Sequence, residues 1–207
     1  YYREVGFLPG GVLNALARLG WSLDDETENM SLQTLLENFS LERVVKASAG
    51  LDPDKLMSYQ SYWMGQLSAD EKLQGCVDIL VRAGLIPENP DADMLALVDA
   101  VVKLAADRIR VFGDILGMDE FFASAESLKY SEKDFQKRVV KPEQAVDLLR
   151  ELRRLLAATE DFTADAMHKV VEEFVEQKEI KFGQIAPALR LSVTGKAKGA
   201  DLFPTLE

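Results

Sequence analysis

The chain has very little of the chemistry that metal sites and disulfides require. Its 207 residues include one cysteine, Cys76, and one histidine, His168. A single cysteine cannot form an intramolecular disulfide, and a structural zinc site takes about four Cys or His ligands. We therefore expect no disulfide and no metal ion. We expect Cys76 to pack in the core, because it falls in an apolar helical pattern.

Long apolar runs are also missing. No apolar stretch approaches the ~20 residues that cross a bilayer. The first residues, Tyr1-Tyr2-Arg3-Glu4, lack the basic start and the apolar segment of a signal peptide. These features favour a cytoplasmic chain with no membrane partner.

The chain has no excess of positive charge. Its formal net charge is -11, which argues against a dedicated nucleic-acid binder, because neutralising phosphates supplies most non-specific affinity. The basic residues are nevertheless grouped. The groups are Lys133, Lys137, Arg138 and Lys141; Arg150, Arg153 and Arg154; and Lys181, Arg190, Lys196 and Lys198. A solvated helix face explains any one group taken alone.

What the chain does have is a 3.6-residue apolar period in nearly every segment, while alternating strand patterns are scarce. We predict an all-α fold of about ten helices. Pro9 opens a helix that Gly20 is placed to end in the left-handed conformation. Asp52-Pro53 reads as an N-cap followed by a first-turn proline. Ser68 and Glu71 have the spacing of a capping box that starts the next helix.

The same pattern predicts how the chain is organised. We expect a first region over residues 1–66 and a second over 67–207, which divides further near residue 142. A long apolar-periodic run from Met94 to about Ile115 is predicted to bend near Asp107. Pro142 marks the start of a later helix.

Two segments at opposite ends of the chain resemble a known family. The tail, residues 183–195, is a short apolar helical run that contains a lone arginine, Arg190, and closes with Gly195. It resembles the anticodon-binding end of bacterial glutamyl-tRNA synthetases. The start, Gly6-Phe7-Leu8-Pro9 and residues 13–22, is similar to the segment that follows the catalytic domain in those enzymes. The resemblance implies a helical anticodon-binding domain rather than a β-barrel.

The resemblance also implies which residues would bind the anticodon. Arg190 matches an arginine that packs against splayed-out anticodon bases, and Gln184 precedes it. Lys198 or a backbone group would substitute for a side chain that relatives have near this position. Arg108 matches an arginine that faces the last anticodon base, although a shift in the alignment would give that role to Arg110. A guanidinium suits such roles because it is planar, always charged and rich in donors.

A second stretch of the resemblance implies contacts outside the anticodon. Residues 39–44, which include Arg43, and the later Lys55-Leu56 are similar to the family segment that joins the catalytic domain to the anticodon-binding part. That segment contacts the inner corner of the tRNA. Arg43 and Lys55 are therefore predicted to contact the tRNA stem, and the first region is predicted to dock on the catalytic domain.

Synthetases of this class activate their amino acid with ATP through a His-x-Gly-His loop and a Lys-x-Ser-Lys loop, and this sequence has neither. We expect a piece of a monomeric glutamate-tRNA ligase that binds glutamate tRNA, is inactive alone and has no cofactor. ATP and magnesium would belong to the parent enzyme. The alternative is an acidic, all-helical protein-interaction module without RNA affinity, which the net charge favours and the two matched ends disfavour.

Overall fold

The chain is built from α-helices joined by loops. A computed structural model describes residues 1–46, 49–124 and 126–207, and these ranges contain no strand. The all-α prediction is confirmed. None of the helices in these ranges is long and apolar enough to span a bilayer.

The helices are as follows. The α-helices are α1 (Tyr2–Val5), α2 (Pro9–Ala17), α3 (Leu32–Asn38), α4 (Pro53–Gln66), α5 (Ala69–Arg82), α6 (Ala92–Ala105), α7 (Glu132–Phe135), α8 (Ala145–Ala157), α9 (Ala164–Gln177), α10 (Phe182–Thr194) and α11 (Leu202–Leu206). Segments of 3₁₀-helix cover Leu41–Arg43, Ala106–Arg108 and Phe112–Phe121, and a π-helical turn covers Gln136–Val140.

Side-chain caps form at the helix starts that the sequence predicts. The Asp52 carboxylate accepts a hydrogen bond from the Asp54 N–H at 2.9 Å, at the start of α4. At the start of α5, the Ser68 hydroxyl accepts from the Glu71 N–H at 3.2 Å, and the Glu71 carboxylate accepts from the Ser68 N–H at 2.8 Å. These reciprocal bonds confirm the capping box.

The role predicted for Gly20 is wrong. Helix α2 ends at Ala17, and the left-handed glycines are Gly6, Gly84 and Gly195. Gly20 instead lies against the chain at Val45, whose N–H donates to the Gly20 carbonyl at 2.8 Å. A Cβ atom on Gly20 would stand only 3.2 Å from the Val45 oxygen, so this glycine permits a close backbone approach.

The run from Met94 breaks where the sequence predicted a bend. Helix α6 ends at Ala105, because Ala106 has φ 48° and ψ −125°, a conformation outside the helical region. Only a 3₁₀ turn follows. The helix expected at Pro142 begins three residues later, at Ala145, after a short turn.

The helices pack into two compact units, Tyr1–Met118 and Asp119–Glu207. This division describes packing. The division into regions 1–66 and 67–207, with a subdivision near residue 142, concerns function and stays a prediction.

One buried amide joins three segments of the first unit. Asn14 of α2 is fully buried. Its Nδ2 donates to the Met30 carbonyl at 2.8 Å, and its Oδ1 accepts from the Met30 N–H at 3.2 Å. The same oxygen accepts from the Trp63 indole N–H of α4 at 2.8 Å. Since an unpaired buried amide is costly, these bonds fix the loop at Met30 against α2 and α4.

Cys76 packs in the core, as the sequence predicts. The side chain is fully buried in α5. Burial, with a smaller effect from the nearby Asp114 charge, raises the pKa of the thiol to about 12. A thiol with that pKa stays protonated and unreactive near neutral pH.

The core of the second unit comes from α8, α9, α10 and α11. Its buried members are Leu152, Leu156, Met167, Val171, Phe174, Ile185, Leu189 and Leu202. Helix α10 ends at Gly195, whose φ of 71° is left-handed. The Gly195 N–H donates to the Leu191 carbonyl at 2.9 Å, and its carbonyl accepts from the Ser131 N–H at 2.9 Å. Gly195 thus both ends α10 and fastens it to the start of α7.

Two alanine substitutions at glycines of α10 and its cap should have opposite effects. Gly195→Ala forces a left-handed alanine, which costs about 1–2 kcal/mol, and its Cβ would overlap the Lys129 carbonyl. Gly183→Ala meets no neighbouring atom and should stabilise the helix by about 0.5–1 kcal/mol. Urea unfolding of the two variants measures both changes. Equal effects would contradict the cap assigned to Gly195.

Candidate nucleic-acid interface

Arg190 lies near the end of α10, on the rim of the second unit's core. Its neighbours Leu189 and Leu191 are buried, while Arg190 itself is half-buried. The Arg190 guanidinium donates to the Ala200 carbonyl. A Cβ atom on Gly199 would lie 3.6 Å from the guanidinium nitrogen. The planar group therefore lies against the backbone of the loop that follows α10.

That loop is held by an ion cluster at Lys196. The Lys196 ammonium lies 3.1 Å from an Asp119 oxygen and 2.5 Å from a Glu120 oxygen. The hydrogen bond from Lys196 is the main cause that keeps the pKa of Asp119 below its usual value. Partial burial acts to lower the pKa of Lys196, but the hydrogen bonds to Glu120 and Asp119 outweigh it and raise the pKa. Lys198, two residues further along, is exposed.

The Gln184 side chain helps to start α10. Its Oε1 accepts from the Lys181 N–H at 2.7 Å, which satisfies a backbone donor that the helix leaves unpaired. Six residues separate Gln184 from Arg190, which is roughly 240° of helical rotation, so the two side chains leave different faces of α10. The structure does not bring these predicted anticodon residues together, and the anticodon role of Gln184 stays a prediction.

Arg108 caps the end of α6 in the first unit. Its Nε donates to the Ala105 carbonyl at 3.1 Å, and a terminal nitrogen donates to the Leu104 carbonyl at 2.8 Å. The backbone N–H of Arg110 donates to Asp114 at 2.8 Å. Both arginine side chains are exposed, so each of them stays open as the residue that faces the anticodon.

Arg43 and Lys55 are exposed and have partners within the first unit. An Arg43 terminal nitrogen donates to the Ser22 and Leu23 carbonyls, each at 2.8 Å, and the guanidinium carbon lies 5.3 Å from the centre of the Trp21 ring. These contacts fix the guanidinium against the turn at residues 21–23.

The Lys55 ammonium lies 2.6 Å from a Glu28 oxygen. This hydrogen bond is the main cause that raises the pKa of Lys55 and lowers that of Glu28. Both side chains are about half exposed. Water competes with an ion pair at such a site, so it is weak and exchangeable.

The acidic charge of the chain is distributed unevenly between the two units. Residues 1–118 hold 10 basic and 18 acidic side chains, a net −8, whereas residues 119–207 hold 14 basic and 17 acidic side chains, a net −3. Six exposed basic residues of the second unit lie in the segment that runs from α7 through α8. They are Lys133, Lys137, Lys141, Arg150, Arg153 and Arg154. The second unit therefore presents cationic side chains without a large opposing net charge.

The sequence profile of a family described as the anticodon binding domain matches residues 71–207. The chain belongs to this family. The matched range includes Arg108, Gln184, Arg190 and Lys198. Arg43 and Lys55 precede the matched range.

Similar proteins cover the whole chain. The glutamate–tRNA ligase of Herpetosiphon aurantiacus is 30% identical over 205 residues, which are 99% of this chain and 41% of the relative. That of Geobacter sulfurreducens is 32% identical over 206 residues, 100% of this chain and 42% of the relative. A crystal structure of a glutamate tRNA ligase from Elizabethkingia meningosepticum, in complex with its amino acid, superposes with a TM-score of 0.80 at 27% identity. The superposition covers 100% of this chain and 39% of the chain in that crystal structure. The chain thus spans about two fifths of the length of the relatives it matches.

The structure also brings side chains to Arg190 that no sequence pattern indicates. A pocket of about 430 Å³ is lined by Arg190 together with His168, Phe182 and Phe203. His168 lies in α9, more than a dozen residues before Phe182, so only the fold brings them together. Within the described ranges, no group of three Asp, Glu, His or Cys side chains is arranged to hold a metal ion.

Replacing Lys196 with methionine should destabilise the second unit in a pH-dependent way. Because the pKa of Asp119 is lower in the folded state, the Asp119 carboxylate stabilises the fold at pH values above its unfolded pKa. This stabilisation is lost as the pH falls through its folded pKa. Because the pKa of Lys196 is raised, the Lys196 ammonium stays charged and the ion cluster stabilises the fold until the pH rises into the alkaline range. We expect a loss of about 1 kcal/mol at neutral pH that becomes smaller near pH 3.

Urea unfolding at both pH values measures this effect. Lys198→Met is the matched control, because it removes an exposed lysine from the same loop. The role assigned to the ion cluster is contradicted if Lys196→Met lowers the free energy of unfolding equally at both pH values. It is also contradicted if Lys196→Met lowers it no more than Lys198→Met does.

Proposed function

We propose that this anticodon binding domain is the tRNA-binding part of a glutamate–tRNA ligase, and that it recognises the anticodon of glutamate tRNA. The observation that carries the proposal is the similarity to glutamate–tRNA ligases along 98–100% of the chain. The family match supports anticodon binding. It does not support the alternative function, that of an acidic protein-interaction module. We further propose a monomeric parent enzyme that works in the cytoplasm.

The parent reaction divides into two steps. Glutamate and ATP form glutamyl-adenylate with release of pyrophosphate, and the glutamyl group then passes to the terminal ribose of the tRNA with release of AMP. ATP and magnesium would act in the part of the relatives that this chain does not match. The domain described here would supply binding energy and a choice among tRNAs, and it would take no part in bond-making.

Arg190 is suited to the anticodon for a physical reason. Single-stranded loop bases are recognised by stacking on planar groups and by hydrogen bonds to their exposed edges. The bond from Arg190 to the Ala200 carbonyl fixes the plane of the guanidinium before any ligand arrives. A planar cation held in this way loses little conformational freedom when a base stacks on it. We propose that Lys198, exposed on the same loop, adds a phosphate or base contact.

The proposed contacts of the first unit follow the same reasoning. Arg43 is already fixed by two backbone carbonyls and Trp21, so it presents a rigid cation to a phosphate. Lys55 would exchange the exposed Glu28 carboxylate for a phosphate oxygen. Arg108 or Arg110 would face the last anticodon base, and a side chain that caps α6 holds a defined position for that role.

Fluorescence anisotropy of the chain with labelled glutamate tRNA tests the proposal. We expect salt-sensitive binding that weakens when the anticodon is replaced. Arg190→Ala should weaken binding by about 10-fold, because base stacking is worth roughly 1–3 kcal/mol. Arg190→Lys should lose nearly as much, since it keeps the charge without the plane.

Arg154→Ala is the matched control, because it removes an exposed arginine of the same unit from α8. It should change binding little and equally for both anticodons. Equal affinity for both anticodons, or equal losses in the Arg190 and Arg154 variants, would contradict anticodon recognition through Arg190.

A further inference from the structure

The end of α6 holds an alanine in a backbone conformation that favours glycine. Ala106 has φ 48° and ψ −125°, close to the first central residue of a type II′ turn, where glycine predominates. An alanine there is strained, because its Cβ crowds the neighbouring backbone. Such strain persists only where the surrounding structure holds it, and it is concentrated at ligand clamps and switch regions. The turn therefore points to a functional constraint at this end of α6.

Buried side chains on both sides hold the turn in place. Ala105 is fully buried and Ile109 is 6% exposed, whereas Ala106 itself is exposed. An uninterrupted helix would carry residue 109 further along the axis of α6. The burial of Ile109 in its present position therefore requires the break at Ala106, and the core of the first unit maintains the strained conformation.

The break at Ala106 also determines what the Arg108 side chain bonds. The last four carbonyls of a helix have no partner within it, and the Ala106 N–H donates to two of those in α6. The Arg108 Nε donates to the Ala105 carbonyl at 3.1 Å, and a terminal nitrogen donates to the Leu104 carbonyl at 2.8 Å. All four carbonyls are thus bonded, and the guanidinium lies at the negative end of the helix dipole.

A helical Ala106 would remove this arrangement. In an uninterrupted helix the backbone N–H of Arg108 would donate to the Leu104 carbonyl, which is the acceptor that the guanidinium uses here. The positive φ of Ala106 therefore decides whether the Arg108 guanidinium is fixed on α6. A guanidinium fixed in this way loses little conformational freedom on binding, and its remaining N–H groups are left for the edge of a base.

We propose that Ala106 is a positioning residue, whose strained turn holds the Arg108 guanidinium in the orientation that recognises the last anticodon base. This inference rests on the proposed function and deepens it, because it assigns base selectivity to a backbone conformation. Ala106 acts through Arg108 and does not itself contact the RNA.

Glycine substitutions test the conformation of Ala106. Glycine adopts a positive φ without strain, so Ala106→Gly should raise the urea midpoint of unfolding. Ala100→Gly is the matched control, because Ala100 is an exposed alanine within the same helix, where glycine lowers the midpoint. A midpoint that is lowered in both variants would mean that residue 106 is helical, and it would overturn the proposal.

Base selectivity tests the positioning role. Anisotropy titrations compare glutamate tRNA with tRNAs changed at the first or at the last anticodon base, and the affinity ratio measures selectivity at each base. Arg108→Ala and Ala106→Val should each lower selectivity at the last base by about 10-fold, because valine is disfavoured at positive φ. Selectivity at the first base should be unchanged. Ala106→Gly should keep the parent selectivity, and Ala106→Val should lower it no further in an Arg108→Ala background.

Ala100→Val is the matched control for binding and should leave both selectivities unchanged. Suppose the parent chain discriminates between anticodons. The positioning role is then wrong, and the proposed function stands, if Arg108→Ala or Ala106→Val keeps full selectivity at the last base, or if Ala106→Val loses it equally at both bases. If thermal unfolding shows that Ala106→Val is not folded, lost selectivity in Ala106→Gly would overturn the proposal. If the parent chain discriminates at neither base, the proposed function fails and this inference fails with it.

Discussion

The left-handed turn at Gly195 is the constraint on which the exposed end of the second unit depends. It stops α10 and turns the chain so that Ala200 meets the Arg190 guanidinium. Lys196 then fastens the turn to Asp119 and Glu120. The position of Arg190 is therefore set by a backbone conformation and an ion cluster, and the α11 residues that border its pocket follow from the same turn.

The distribution of charge explains how an acidic chain can belong to a family that binds anticodons. The net negative charge lies mainly in residues 1–118, while the second unit is close to balanced and carries exposed cations along α8 and the π-helical turn. Non-specific attraction to phosphates should then be weak, because few charges are neutralised. Recognition would depend on a small number of placed groups, of which the fixed guanidinium of Arg190 is the best defined.

Much of the fold follows from local sequence. The capping box at Ser68 and Glu71 is specified by residues three positions apart, so the sequence alone predicts it correctly. The prediction that Gly20 ends a helix is wrong because the constraint on Gly20 is the distant Val45 backbone, which no local pattern contains. Ala106 breaks α6 although alanine favours helices, so local propensity gives no warning. The pocket around Arg190 was missed for the same reason, since His168, Phe182 and Phe203 meet only through the packing of three helices.

Nuclease footprinting of glutamate tRNA tests most directly whether this domain binds the anticodon loop. The tRNA, labelled at one end, is digested with a single-strand-specific nuclease at increasing concentrations of the chain. We predict protection concentrated in the anticodon loop, with weaker protection at the inner corner, and no protection of the acceptor end. Protection confined to the acceptor end, or none at a saturating concentration of the chain, would contradict it.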